Sequence, residues 1–526
     1  MPGLNRLTST LGILAVLASA TLAAACTSGA AAPRPAHTAS PAPSGTVSSA
    51  APAPQVTTTP TTLAQYYAQR LDWQPCDKSF ECARLLVPFD YARPDWRRFS
   101  LPVIKLAAAE PAGRIGALVI NPGGPGGSGV QYALAARQGE FTSGVLGRFD
   151  IVGFDPRGVG GSEPAVRCMT GPQLDKYFAT NAAPSTPAAL ATLVAQSRLY
   201  ASQCAANAAD LLPYVGTVNA ARDMDVLRAA LGEHSLTYLG KSYGTVLGAS
   251  YAQQFPSRVR AFVLDGAVNP ELPGLQLDEA QAAGFESAFG QFVRWCATQS
   301  ACPLGSTTPG AVAKVAGLLA AANRHPLSNL LTGRQPADGA MLVTGIAAAL
   351  YQRQEWPVLK NALSGAFSGD GTILVELADF LIERSPNGTY SNLSDAEMSV
   401  DCVDRPWPRS LAAWQAAASA ASKASPLFGA PLVWGSLPCA YWPVKSAALP
   451  VRASGAPPIL VVGDLHDPAT PYQWAVALAR DLSSGVLLGW NGEGHTSYME
   501  GSMCVDNAVD SYLISLRTPR SGTVCP

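Results

Sequence analysis

An α/β architecture, with a mostly parallel sheet covered by helices and one long helical insertion, follows from three features of this chain. Short apolar, β-branched runs alternate with helix-like stretches, which is the rhythm of βαβ units. The pentapeptide Gly240-Lys241-Ser242-Tyr243-Gly244 joins a strand-like run, Leu236 to Leu239, to a helix-like one, Thr245 to Gln254. The rhythm then breaks between about Pro270 and Leu449 and resumes after Pro457, so the helix-rich part reads as an insert in one domain rather than as a neighbouring one.

Taken in order, the N-terminus reads as an export signal over residues 1–25. Arg6 supplies the charged region, and Leu11 to Ala25 is an apolar run too short for a comfortable membrane span. The run ends in Ala23-Ala24-Ala25-Cys26, small residues followed by a cysteine whose thiol can receive a lipid, although alanine stands at Ala23 where leucine is usual. Residues 26–62 are dominated by Ala, Pro, Ser and Thr, bury too little apolar surface to offset their ordering entropy, and are expected to form a disordered tether. The expected localisation is a bacterial cell surface or the medium, with the membrane touched only through a lipid anchor on Cys26.

Eleven cysteines support export, because Cys26 alone precedes residue 76 and an even ten remain. Neighbour pairing would close five short or moderate loops, Cys76–Cys82 and Cys296–Cys302 being the most local, while spacing leaves the connectivity open. With no Cys-x-x-Cys, no His-Glu-x-x-His and no histidine at ligand spacing to a cysteine pair, no metal or other cofactor is expected. A net charge of −1, with only 14% of residues charged and no basic stripe, argues against a nucleic-acid partner.

The body is expected to begin near Leu63, with 63–269 as the first part of the core, 270–449 as a mainly helical lid and 450–526 as the rest of the core. The expected strands are Ala83 to Val87, Phe99 to Lys105, Ala117 to Asn121, Asp150 to Phe154, Leu236 to Gly240, Ala261 to Asp265, Ile459 to Val462 and Val486 to Gly489. Several are continuously apolar, as strands covered on both faces should be. Asn219 to Gly232 reads as a helix with Met224, Leu227 and Leu231 on one face. In the insert, Leu277 to Thr298 aligns Phe285, Phe289, Phe292 and Cys296 on one face, which reads as core packing.

A serine between close glycines at a strand-to-helix turn is the pattern of a nucleophile elbow. The hydroxyl must be aimed and given a base, and the crowded turn wants glycine on either side. The next backbone N–H, that of Tyr243, would face a developing oxyanion. On an α/β-hydrolase fold the order is Ser, then acid, then His, which excludes His37 and His234; His325 falls in the insert. His495, in the Gly-rich Asn491-Gly492-Glu493-Gly494-His495-Thr496 after the last strand, is the expected general base, whereas His466 adjoins the place of the acid. The expected acid is Asp467 in Asp467-Pro468-Ala469-Thr470-Pro471, with Asp464 a local rival and Asp265 a distant one. Asn121-Pro122-Gly123-Gly124-Pro125-Gly126-Gly127-Ser128-Gly129 follows an early strand and should give the second oxyanion donor, Gly124 ahead of Gly123; it lacks the Lys-Ser/Thr of a phosphate loop. Asp155-Pro156-Arg157-Gly158 reads as a brace for these loops.

With these motifs, and with Val263-Leu264-Asp265-Gly266 and Gly494-His495, the chain from about Leu71 onward resembles the secreted tripeptidyl-aminopeptidase-like branch of the prolyl aminopeptidase family of α/β-hydrolases, an actinobacterial group that includes mycobacterial cell-envelope serine hydrolases. The resemblance implies Ser242, Asp467 and His495 as a triad, and release of short peptides, often tripeptides, from peptide N-termini. Such an enzyme must hold a free α-amine, which calls for a carboxylate in the lid; Glu279, Glu286, Asp401 and Asp404 are the candidates. Because the same triad also cleaves esters, a carboxylesterase acting on lipid or small-molecule esters is the alternative.

Overall fold

The computed structural model describes residues 59–331, 333 and 337–526. The export segment, Cys26 and nearly all of the tether lie outside the described residues. The first helix of the described residues, Leu63–Ala68, opens on a reciprocal capping box between Thr62 and Gln65.

Ten strands form one sheet: β1 (Gln74–Pro75), β2 (Phe80–Pro88), β3 (Arg98–Leu106), β4 (Gly116–Asn121), β5 (Phe149–Phe154), β6 (Leu236–Lys241), β7 (Val259–Asp265), β8 (Ile459–Asp464), β9 (Gly485–Trp490) and β10 (Thr523–Cys525). Their order is β1-β2-β3-β5-β4-β6-β7-β8-β9-β10. The first three pair antiparallel and β3 meets β5 antiparallel, whereas every pairing from β5 through β4 to β10 is parallel. All eight expected strands are present. β1 and β10 were not foreseen, being too short to show a period. Every residue of β4, β6 and β8 is buried, which is why those strands read as unbroken apolar runs.

β4 lies between β5 and β6, so the chain leaves its carboxyl end to one side and returns on the other. That is a topological switch point, where open α/β sheets form a crevice. Asn121 at the end of β4 pairs with Gly240 of β6, setting the glycine loop beside the Ser242 turn.

The expected Asn219–Gly232 helix runs instead from Thr217 to Ala230. The early start has a remote cause: Asp404, far along the chain, accepts the Thr217 N–H at 3.1 Å. Met224 and Leu227 are fully buried, as their spacing implied.

Between β7 and β8 the structure is helical, from the long Gly274–Ala297 helix to the Leu437–Tyr441 turn. Phe285, Phe289, Phe292 and Cys296 are buried together in a second core with residues of the Gly339–Leu350, Trp356–Phe367 and Thr372–Leu381 helices. This insertion rests on the loop after β8. A Cβ at Gly284 would stand 2.5 Å from the Pro468 carbonyl oxygen, and the Gln281 amide donates to the Ala469 carbonyl at 2.9 Å. The ten body cysteines pair as neighbours: Cys76–Cys82, Cys168–Cys204, Cys296–Cys302, Cys402–Cys439 and Cys504–Cys525. No helix of the described residues is long and apolar enough to cross a membrane.

Candidate active site

β6 ends at Lys241 and the Gly244–Gln254 helix starts three residues later, so Ser242 and Tyr243 make the whole turn. Ser242 sits at φ +56°, in the left-handed region, which costs a non-glycine residue about 1–3 kcal/mol. The surrounding structure holds it there. The Ser242 N–H donates to the Asp265 carbonyl at the end of β7 at 2.8 Å, and the Ser242 carbonyl accepts from the Thr245 N–H at 2.8 Å and its hydroxyl at 2.6 Å. Both flanking glycines are sterically required. A Cβ at Gly240 would lie 2.4 Å from the Gly244 carbonyl oxygen, and one at Gly244 would lie 2.9 Å from the Asn121 carbonyl oxygen.

The glycine loop after β4 touches this turn. At Gly123, φ is +102° and a Cβ would stand 2.8 Å from the Ser242 Cβ and 3.2 Å from the Tyr243 nitrogen. The Gly123 N–H donates to Asn121 Oδ1 at 3.0 Å. Neither the Gly124 nor the Tyr243 N–H donates to a protein acceptor among the described residues. Asp155 accepts from the Ser128 hydroxyl at 2.6 Å and the Gly161 N–H at 2.8 Å, and Arg157 is fully buried with its guanidinium on Asp223 at 2.5 and 2.7 Å. The Asp155-Pro156-Arg157-Gly158 segment therefore braces the loops, as expected.

His495 and Asp467 meet. Nδ1 of His495 lies 2.9 Å from both Asp467 oxygens. The carboxylate is buried and accepts further bonds from the Ala469 and Thr470 N–H groups at 2.8 Å, the Thr470 hydroxyl at 2.9 Å and the Thr496 N–H at 3.2 Å. With that many donors the charge is stabilised without water. The imidazole stands at the end of β7 beside the Ser242 turn: a Cβ at Gly266, next to the residue that holds the Ser242 N–H, would lie 3.3 Å from His495 Cε1. The His495 N–H donates to the Tyr351 carbonyl at 2.7 Å, and the two rings meet edge to face at 5.3 Å.

The rival acids are engaged elsewhere. Asp265 accepts the Ser497 and Tyr498 N–H groups at about 3.0 Å and so anchors the loop behind His495. Asp464 accepts the His466 N–H at 2.8 Å and leaves Oδ2 without a partner among the described residues; burial first, then the neighbouring Asp467, push its carboxyl up to about 8. His466 contacts the Gln291 amide at 3.2 Å.

The four carboxylates considered for amine binding fare differently. Asp404 takes the Thr217 N–H and hydroxyl, and the Thr217 hydroxyl in turn meets the Tyr243 hydroxyl at 2.5 Å, so Asp404 serves the scaffold of the turn. Glu286 accepts the Leu427 N–H at 3.1 Å. Glu279 is half-buried on the Gly274–Ala297 helix. Asp401 lies on the Leu393–Asp404 helix and makes no side-chain hydrogen bond among the described residues. One turn earlier is Glu397, which the sequence reading missed. Its backbone nitrogen lies 3.2 Å from where a Cβ at Gly126 would be, so the helix rides directly on the glycine loop. The i, i+4 spacing of two acids opposite the buried Asp395, Ser399 and Cys402 was the available signal.

Residues 116–502 match the family model described as alpha/beta hydrolase fold. The chain belongs to the α/β-hydrolase family. This hydrolase is 37% identical over 477 residues to the protein named serine protease Hip1 of Mycobacterium tuberculosis, covering 87% of this chain and 91% of that one. It is 37% identical over 456 residues to the protein named carboxylesterase B of the same species, covering 85% and 86%. To the tripeptidyl aminopeptidase of Streptomyces lividans it is 33% identical over 470 residues, covering 86% of each. The hydrolase is thus a serine hydrolase of an actinobacterial tripeptidyl-aminopeptidase-like group, and its relatives support a serine peptidase.

Proposed function

We propose that the protein is an exported serine exopeptidase that releases short peptides, tripeptides foremost, from the N-termini of peptide substrates. In this reading Ser242 attacks the scissile carbonyl and forms an acyl-enzyme. His495 takes the serine proton and passes it to the leaving amine, then activates the water that releases the acyl group. Asp467 fixes the imidazole tautomer and stabilises the imidazolium. The Tyr243 and Gly124 N–H groups receive the oxyanion. The Gly123 N–H already serves Asn121, which favours Gly124 over its neighbour. The observation that carries the reading is the two-oxygen contact of Asp467 with His495 Nδ1 beside a serine held at positive φ.

Relatives named as a serine protease and as a tripeptidyl aminopeptidase favour peptides; the relative named carboxylesterase B favours the second reading, a carboxylesterase on the same residues. Five disulfides are compatible with an oxidising, exported setting, and a lipid on Cys26 would be the only tie to a membrane. The test compares wild type with Ser242→Ala on a tripeptidyl nitroanilide with a free N-terminus, its acetylated twin and a nitrophenyl ester. Wild type should favour the free-amine peptide, and Ser242→Ala should lose about 10⁴- to 10⁶-fold in kcat along with fluorophosphonate labelling. Hydrolysis of the ester alone would move the protein to the esterases, and undiminished Ser242→Ala turnover would sink the triad.

A further inference from the structure

A short link, Tyr351 to Glu355, joins the Gly339–Leu350 and Trp356–Phe367 helices of the insertion, and its first residues pair with the loop that carries His495. Gln352 and Gly494 form an isolated antiparallel bridge, and the His495 N–H donates to the Tyr351 carbonyl at 2.7 Å. The pairing calls for glycine at 494, where φ is +134° and a Cβ would stand 3.1 Å from the Tyr351 carbonyl oxygen. The Tyr351 ring meets the imidazole edge to face at 5.3 Å and is backed by Phe285 at 5.5 Å.

Arg353 completes this contact. Its Nε lies 2.9 Å from Glu493 Oε2, two residues before His495. The guanidinium also lies over the Trp356 ring at 4.2 Å and the Trp295 ring at 5.0 Å, and Trp356 is buried edge-on to Phe292 in the core of the insertion. Stacked on these rings, the planar fork is already oriented when it meets the carboxylate, so little freedom is lost in making the bond. Both partners are about one-third exposed, so the pair adds little to global stability. Its place in the site is what matters. After the histidine, the loop is held from the sheet, where Asp265 accepts the Ser497 and Tyr498 N–H groups at 3.0 Å. Before it, the hold comes from the insertion, through Tyr351 and Arg353. Between the two, Thr496 sits at φ +71°, a conformation that a β-branched residue keeps only where its surroundings impose it.

We propose that Arg353 is a positioning residue for the catalytic base: its pair with Glu493 locks the His495 loop to the insertion, in the register that sets the imidazole against Asp467 and beside the Ser242 turn. This rests on the Ser242-Asp467-His495 triad of the proposed function. It gives the insertion a task beyond covering the site, because the Tyr351–Arg353 segment becomes part of the support of the base. Arg353 contacts no reacting atom, so its loss should slow the proton transfers through His495 and leave substrate affinity where it was.

The test compares the full-chain wild type with Arg353→Gln, Arg353→Lys, Glu493→Gln and the double variant carrying both amides, on the nitroanilide and the nitrophenyl ester. Arg353→Gln and Glu493→Gln should each lower kcat about tenfold on every substrate that wild type turns over, with KM within about twofold, because a misplaced base costs rate and not binding. The double variant should lose about the same tenfold, since two residues that act through one contact are not additive. Arg353→Lys, which keeps the charge without the fork, should regain about threefold of the loss. Fluorophosphonate should label Ser242 to completion in every variant but about tenfold more slowly, and melting temperatures should stay within about 1 °C of wild type. A hundredfold loss in the double variant, a raised KM at constant kcat, or a fall in melting temperature that tracks the fall in kcat would each overturn the assignment. So would wild-type rates in Arg353→Gln and Glu493→Gln while Ser242→Ala is inactive, which would leave the triad standing. An active Ser242→Ala would remove the triad and the assignment together. Should Arg353→Gln fail to fold, Glu493→Gln, which leaves the arginine on its tryptophans, decides by the same readings.

Discussion

The loop around Asp467 and the Leu393–Asp404 helix both border the Ser242 turn, yet they treat their carboxylates in opposite ways. Asp467 is buried and saturated: two backbone N–H groups within its own loop, the Thr470 hydroxyl, the Thr496 N–H and the His495 ring all converge on it. Glu397, exposed, and Asp401, partly so, accept no side-chain hydrogen bond among the described residues. Burial first, then the neighbouring acids, push the Glu397 carboxyl up to about 8; burial raises Asp401 to about 7 against the pull of Arg405. The first carboxylate is held by fixed partners, and the other two have none among the described residues.

The largest expected effect separates the two regions by rate. Asp467→Asn keeps the shape of the loop but lets the His495 ring take the wrong tautomer, and kcat should fall about 10⁴-fold on peptide and ester alike. A loss confined to the peptide would mean that Asp467 belongs with the binding acids, and the contrast would disappear.

A smaller effect should appear with pH. Were a substrate ammonium held by these two acids, it would need them ionised, and their raised pKa values leave them partly protonated at neutral pH. The groups facing them are Glu383 from the preceding turn, Asp404 and Arg405 at the end of the helix, Asp278 from the Gly274–Ala297 helix, and Tyr177, Tyr200 and Tyr351. Raising the pH from 6 to 8 should therefore lower KM for the free-amine peptide by about tenfold, until the substrate amine itself loses its proton near pH 8. The ester should show no such limb, and Glu397→Gln should flatten it. A KM that is independent of pH in wild type would place the ammonium elsewhere.

The same contrast explains what could be read from the sequence. Ser242, Asp467, His495 and the glycine loop sit at turns after strands, where local residue patterns dictate the backbone, so the pairing of Asp467 with His495 and of the glycine loop with the Ser242 turn was legible. The eight longer strands were legible because burial on both faces leaves continuous apolar runs. The rest depends on distant packing. The start of the Thr217–Ala230 helix is set by Asp404, some 190 residues away, as the 187-residue separation of the bonded pair records. Glu397 looked like any exposed helical acid until the fold laid its helix across Gly126. Asp404, one of the four candidate acids by sequence, is 7% exposed and committed to a helix cap.

The smallest expected effect concerns stability, and its sign is the informative part. In the unfolded chain Glu397 would titrate at its ordinary value near 4.5, whereas in the fold it holds its proton up to about 8. The folded state thus gains from that proton below about pH 4.5, and the gain is lost as the pH rises through about 8. Replacing the carboxyl by an amide of the same shape removes this loss. Glu397→Gln should melt about 1 °C above wild type at pH 8.5 and level with it at pH 4.5, a modest difference because water reaches the side chain and screens its charge. Differential scanning fluorimetry at the two pH values reads this directly. A variant that melts lower at pH 8.5 would show that the carboxylate has a partner in the fold, and the unpaired state on which the comparison turns would be gone.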